Sequence, residues 1–248
     1  GGSFCGTAVS YRIYFVAEFD TRAAEVGTWN AAELKKNNKQ ETTSGTGVFF
    51  TFDTKGGKTV KYKVGVSYVS LANAKENLKA KNSGWDFDKV KKSAVAAWNK
   101  QLSKIEVTGG TVDRTTQFYS HLYRTMAHPN VFNDVNGQYV GGDNKIHLAE
   151  GFNYYTAFSN WDTYRTQTQL ISMLAPEQTS DMMKSILLFA EQSGGGFPRW
   201  VLNSTETGIM QGDPTAAMVS VAHSFGATDF DTEKALQVMK NGAENPAT

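Results

Sequence analysis

The chain has 248 residues, 40% hydrophobic, 12% aromatic and 20% charged, which suits one large domain or two small ones and is too apolar for disorder. Its 25 Lys and Arg against 24 Asp and Glu leave a net charge of +1, so there is no basic excess to hold a nucleic-acid backbone. No apolar run reaches the roughly 18 residues that would insert across a membrane, and the lone Cys5 excludes an internal disulfide or a Cys-built zinc site.

The first third reads as β-structure. Residues 8–19 are rich in β-branched and aromatic side chains, and Val48 to Phe52 form a second such run. Gly56-Gly57 supplies a turn, after which Val60, Tyr62, Val64, Val66 and Tyr68 alternate with Lys61, Lys63, Gly65 and Ser67. That period of two predicts a half-buried strand, paired with 48–52 as an antiparallel hairpin. Residues 35–47 read as a solvated loop or hairpin arm.

The period then changes. Leu71, Ala74 and Leu78 share a helical face; Asp86 can cap a longer helix carrying Phe87, Val90, Ala94, Trp98 and Leu102. Helices are expected over about 111–127, from Asp162 to Leu174, over 177–192, from an Asp213 cap with Pro214 to Gly226, and after Asp231. These expectations divide the chain into a β part at 1–70, a helical linker at 71–110 and a helical part at 111–248.

Chemistry-bearing residues concentrate in two connections. Trp161, Asp162 and Arg165 lie in FSNWDTYR, and an indole beside a carboxylate suits a sugar, covering its C–H face while accepting hydroxyl protons. The bland alternative is a core Trp161 and a helix-capping Asp162. Glu206 sits between two threonines in a loop that also carries Arg199 and Trp200; read from spacing alone, a lone glutamate in a loop is usually a solvated surface residue. The start of an EF-hand pattern at Asp134 fails, because its glycine comes early and position twelve is Lys145, so 133–143 reads as an Asn-Gly turn in a hairpin. The histidines form no HExxH pair, His121 and His128 read as core or turn residues, and nucleophile and phosphate-loop motifs are absent. Asn203-Ser204-Thr205 matches a glycosylation sequon.

In order along the chain, GGSFCG (1–6), YFVAEFD (14–20), VGVSYVSLANAKENL (64–78), GWDFDKV (84–90), FYSHLYRTMAHPNVFND (118–134), FSNWDTYRTQTQL (158–170) and FPRW…TETGIMQGDP (197–214) resemble glycoside hydrolase family 92, the calcium-dependent exo-α-mannosidases. The resemblance implies a mixed fold: the C-terminal part of a β-sandwich, a helical linker, then the first half of an (α/α)6 toroid. The chain reads as a piece of something longer. The implied activity is removal of terminal α-linked mannose, α-1,2 by expectation, from mannooligosaccharides or N-glycans, with inversion by an acid and a base.

The family motif Pro, Trp, Leu, Asn-Glu-Thr, Met, Gly matches Pro198, Trp200, Leu202, Glu206, Thr207, Met210 and Gly212, which makes Glu206 the implied general acid. Trp161 and Asp162 match the motif that faces mannose; Arg165, Arg199, Trp200 and Thr207 are implied substrate contacts or supports, and the Phe4-Cys5 loop is expected to face the same site. Thr205 stands where many α-1,2-acting members have Asn, which puts the linkage in question and leaves a mannose-phosphodiester specificity open. Calcium is implied for the complete enzyme, holding ring hydroxyls through oxygen ligands, most of them outside this chain. Mannose-containing glycans are the expected partner, and a secreted, periplasmic or cell-surface location follows from the family. The alternative from another class is a non-catalytic carbohydrate-binding or structural fragment. A half toroid also predicts an exposed apolar helix face and self-association.

Overall fold

A computed structural model describes residues 11–31, 33–210 and 212–245. The Phe4-Cys5 loop lies outside them. Five strands come first: β1 (Tyr14–Phe19), β2 (Glu25–Asn30), β3 (Glu33–Lys36), β4 (Gly47–Thr51) and β5 (Tyr62–Ser67). Three helices follow, α1 (Leu71–Lys81), α2 (Phe87–Leu102) and α3 (Val112–Thr125). Short strands then precede two helices: β6 (Asn130–Val131), β7 (Gln138–Val140), β8 (Ile146–Leu148), β9 (Tyr155–Thr156), β10 (Phe158–Ser159), α4 (Asn160–Thr163) and α5 (Gln167–Leu174). The chain continues through α6 (Pro176–Ser193), β11 (Trp200–Leu202), β12 (Thr205–Glu206), α7 (Pro214–Ser224) and α8 (Thr232–Glu244).

Local chemistry explains the helix starts. Ser70, Asp86, Thr111 and Asp231 each accept a hydrogen bond from the amide three residues on, and so satisfy one of the free N–H groups of α1, α2, α3 and α8. Helices α6 and α7 begin on proline instead, whose missing N–H costs nothing at a first turn. Asp213 precedes Pro214 as expected but makes no side-chain cap bond.

The strand pairing differs from the hairpin expected around Gly56-Gly57. β4 pairs with β2, and β5 pairs with β1, so the two strands belong to separate sheets of order β3-β2-β4 and β1-β5. The turn itself forms, with the Gly57 amide donating to the Thr54 carbonyl at 3.2 Å. Part of 35–47 is strand, because β3 pairs with β2 from Asn30↔Glu33 to Gly27↔Lys36. Strand β2 has no alternating apolar signal, since its two buried positions are Gly27 and Thr28. The sheets meet through aromatic rings: Phe19 lies 5.0 Å from Phe50 and 5.1 Å from Phe52.

The faces of β5 are reversed from expectation. Lys63, Gly65 and Ser67 are the buried positions, and Tyr62, Val64 and Val66 are exposed. Helix α1 packs on the polar face. A Cβ on Gly65 would stand 2.3 Å from the Ala74 carbonyl oxygen and 2.6 Å from the Leu78 Cβ, so only glycine admits the helix there. Lys63 is buried with partners: its Nζ donates to the Ser83 carbonyl at 3.1 Å, faces Glu18 at 3.3 Å and lies 4.4 Å from the Trp85 ring.

Helix α1 also meets the helical part through a buried carboxylate. Asp134 Oδ2 accepts from Ser67 Oγ and Asn73 Nδ2, both at 2.7 Å, and Oδ1 accepts from Asn77 Nδ2 at 2.6 Å. The Asn136-Gly137 turn forms beside it, with the Gly137 amide donating to the Asp134 carbonyl at 2.9 Å, and leads into the β7–β8 hairpin. His121 is exposed on α3 rather than core, and the helix ends before His128.

Two cores lie beyond. The larger packs Met183, Ile186, Leu187 and Phe189 of α6 against Met218 and Val219 of α7, Val238 of α8, and Phe158 and Val201 from two of the short strands. The smaller gathers Phe132, Tyr139 and Tyr154, with Leu188 from the opposite side of α6. Tyr139 and Tyr154 stack at 3.7 Å, and burial pushes the Tyr154 hydroxyl well above the ordinary phenol range. Helix α2 has no buried residue.

Candidate functional site

The two chemistry-bearing connections converge on one small antiparallel sheet of order β10-β11-β12. Its register sets Ser159 opposite Trp200, and Val201 opposite Glu206. The chain leaves β10 directly into α4, whose second and third residues are Trp161 and Asp162. Arg199 directly precedes β11, Trp200 opens it, and Glu206 closes β12. Residues 40 and more apart in sequence therefore share one structural unit.

Trp161 is 48% exposed, so the core reading of this side chain does not hold. Asp162 is exposed as well and sits inside α4, not at a cap; its Oδ2 accepts from the Ser159 hydroxyl. The expected helix from Asp162 to Leu174 is interrupted: Thr166 takes φ of 63°, and α5 starts anew at Gln167. A β-branched residue in that left-handed region is strained, and the strain turns the chain between the two helices. Arg165 lies exposed at the break, 5.4 Å from the Tyr164 ring. An exposed indole, a carboxylate and a guanidinium thus follow one another on one surface segment. That set can cover an apolar sugar face and hydrogen-bond to its hydroxyls.

On the other arm, Arg199 donates from Nη1 to the Met210 carbonyl at 3.1 Å. Thr207 donates from its amide to the Trp200 carbonyl at 3.0 Å and from its hydroxyl to the same oxygen at 3.1 Å. Thr207 is therefore a support of the turn. Glu206 is half-buried, and backbone amides surround its carboxylate: Arg199 N at 2.5 Å and Trp200 N at 3.3 Å donate to Oε2, and Gly208 N at 2.7 Å donates to Oε1. Three amides aimed at one carboxylate fix its position closely.

Two residues that spacing did not single out tie these arms together. Asn160 donates from Nδ2 to Thr215 Oγ1 at 2.6 Å and to the Pro198 carbonyl at 3.2 Å, and the Thr215 hydroxyl donates to the same carbonyl. Both side chains are fully buried. The signal available in sequence was their position alone, Asn160 beside Trp161 and Thr215 just inside a proline-started helix.

Among the described residues no group of three or more His, Cys, Asp or Glu side chains comes together. Among the described residues Asp162 and Glu206 have no pair of acidic companions that would complete an oxygen set for calcium. No helix among the described residues is long and apolar enough to cross a membrane.

Comparison with known proteins gives a consistent picture. The model of the glycosyl hydrolase family 92 catalytic domain matches residues 73–248, and that of the family 92 N-terminal domain matches residues 1–67. The structure is similar to that of the family GH92 α-mannosidase BT3965 from Bacteroides thetaiotaomicron, with 30% identity and a TM-score of 0.83 over 94% of this chain and 32% of that one. That enzyme has also been solved in complex with mannoimidazole. The inverting mannosidase BT2199 from Bacteroides thetaiotaomicron VPI-5482 gives 28% identity and a TM-score of 0.88, over 94% of this chain and 32% of that one. An uncharacterized secreted glycosidase from Arthroderma benhamiae is 29% identical over 128 residues, 50% of this chain and 16% of that protein. The chain thus spans about a third of the solved structures it resembles. The sheet-rich beginning followed by helices is the arrangement of those structures.

Proposed function

The chain belongs to glycosyl hydrolase family 92, and on that premise we propose that it forms part of an exo-acting hydrolase of terminal α-linked mannose. The observation that carries this reading is the β10-β11-β12 sheet, which pairs the strand leading into the exposed Trp161–Asp162 segment with the strand that follows Arg199 and begins at Trp200, and that strand with the one ending at Glu206. The solved relatives named as α-mannosidases, one of them with mannoimidazole, support mannose as the sugar. Mannooligosaccharides or N-glycans are the proposed substrates, with α-1,2 linkages and inversion of configuration; the relative named as an inverting mannosidase supports the latter. The helical part is proposed to be the first half of an (α/α)6 toroid, with the division at 1–70, 71–110 and 111–248 kept. A location outside the cytoplasm is supported by the relative named as secreted.

In this reading Trp161 covers the mannose C–H face, Asp162 accepts sugar hydroxyls, and Arg165 and Arg199 donate to ring or linkage oxygens. The chemistry needs a proton on the leaving oxygen and a base to activate water on the opposite face. Glu206 is proposed as the acid. To act so, one of its oxygens must carry a proton and turn from its amide toward the leaving oxygen. Those amide contacts also favour a second role, in which Glu206 clamps the turn from Arg199 to Gly208 and another carboxylate of the whole protein delivers the proton.

Glu206→Gln in the complete enzyme separates the two roles. Loss of an acid lowers turnover on mannobiose by about 10²–10⁴-fold but spares an aryl mannoside whose leaving group needs no proton. Loss of a clamp lowers both substrates together and lowers the melting temperature. Unchanged turnover on mannobiose removes Glu206 from the mechanism altogether.

A further inference from the structure

The segment carrying Trp161 and Asp162 is bounded by two strained residues. Ala157 has φ of 64° and Thr166 has φ of 63°, a backbone region unfavourable for any side chain and worst for a β-branched one. Such a segment keeps its shape only where its surroundings over-determine it. Between those ends, Asn160 is the one residue of α4 that is buried. Its amide nitrogen spends one hydrogen on Thr215 Oγ1 of α7 and the other on the opposite arm, at the carbonyl of Pro198, the residue before Arg199. Thr215 closes the triangle by donating to that same carbonyl.

Among the described residues nothing donates to the other half of the Asn160 amide, the buried Oδ1. An unmet buried acceptor is costly, and an apolar side chain of the same shape would avoid it. A residue kept here for packing alone would not be an amide. We infer that Asn160 and Thr215 are positioning residues, whose bonds to the Pro198 carbonyl set the spacing between the Trp161–Asp162 arm and the Arg199–Trp200 arm. The inference rests on the reading of those arms as the sugar-facing surface, although the coupling itself is a property of the fold.

The test uses Thr215→Val, which keeps shape and loses the hydroxyl, with Thr215→Ser as the conservative rescue. Hydrogen exchange of the chain, followed by mass spectrometry, is expected to rise in 157–166 and 197–207 together in the valine variant, and to stay at the wild-type level in the serine variant. A rise confined to the first turn of α7, or an equal rise over the whole chain, overturns the coupling. Asn160→Asp provides a second route should the valine variant fold poorly. It retains the volume and loses both donors, and it must loosen the same two segments for the inference to stand.

Titration of the complete enzyme with mannoimidazole supplies the functional arm. A loss of affinity of tenfold or more in Thr215→Val, recovered in Thr215→Ser, is expected. Coupled exchange with unchanged affinity overturns the positioning role. A wild-type enzyme that does not bind mannoimidazole overturns the mannoside reading, while the exchange result still decides the coupling.

Discussion

Single residues at two places carry more than their size suggests. Asp134 is buried, and among the described residues no Lys, Arg or His pairs with it; three neutral donors, Ser67, Asn73 and Asn77, hold its oxygens. Removing the carboxylate by Asp134→Ala takes one buried acceptor from each of those donors; Asn73 keeps Gln138 Oε1 and Asn77 keeps the Val66 carbonyl, while the Ser67 hydroxyl loses its acceptor. The expected cost is about 3 kcal/mol, read as a lower midpoint in urea unfolding. Ser67 and the two asparagines belong to the first third of the chain and the linker, so the loss loosens the joint between them and the helical part. In sequence Asp134 resembles the first ligand of a calcium loop, and the spacing that follows it argues against that role. Its actual partners come from more than 55 residues upstream, and a reading of local spacing has no access to them. Trp161 and Glu206 were legible as residues of interest, since an indole beside a carboxylate and a glutamate in a conspicuous loop stand out by type. That Glu206 is ringed by backbone amides was not legible, because main-chain donors leave no mark in a sequence.

At the scale of elements, periodicity found most helices and failed where a small residue changed the meaning of a face. The pattern of β5 places valines on one side and Lys63, Gly65 and Ser67 on the other, and the ordinary rule buries the valines. Here helix α1 takes the other side, because Gly65 alone leaves room for the Ala74 carbonyl and Leu78. Gly65→Ala pushes the helix off the strand, at a cost of roughly 2 kcal/mol for overpacking. Thermal unfolding of the variant checks this, and an unchanged melting temperature would contradict the packing described. The broken helix over residues 160–174 was missed for a related reason. Asp162 and the apolar residues after it fit a continuous helical pattern, whereas the break depends on a left-handed Thr166 for which the residue type gives no warning. Apart from the turn signal at Asn136-Gly137, which marks a hairpin near β7, the short strands β6 to β12 leave little trace in the sequence, since elements of two or three residues hold no period at all.

The whole molecule is loosely wrapped for its mass. Its accessible surface is 15480 Å², against about 10,900 Å² for a compact monomer of this mass. The excess fits a chain that spans about a third of the structures it resembles. Much of it is apolar: Phe15, Tyr62, Val64 and Val66 share one open face of the β1-β5 sheet, and Phe87, Val90 and Val95 lie open on α2. Such continuous apolar faces drive association. The chain by itself is expected to sediment as a concentration-dependent mixture, shifted toward monomer by Val64→Lys with Val66→Lys, two changes at exposed positions. A wild-type chain that stays monomeric at high concentration would count against this.

Against that openness stands helix α6. It turns Met183, Ile186, Leu187 and Phe189 toward the larger core and Leu188 toward the smaller one. A rod shared by two cores denies either of them independence. Neither can melt without stripping one flank of the same helix, so the two behave as one cooperative body, and damage to the stack of Tyr139 and Tyr154 is felt where Met218 and Val238 pack on the far side.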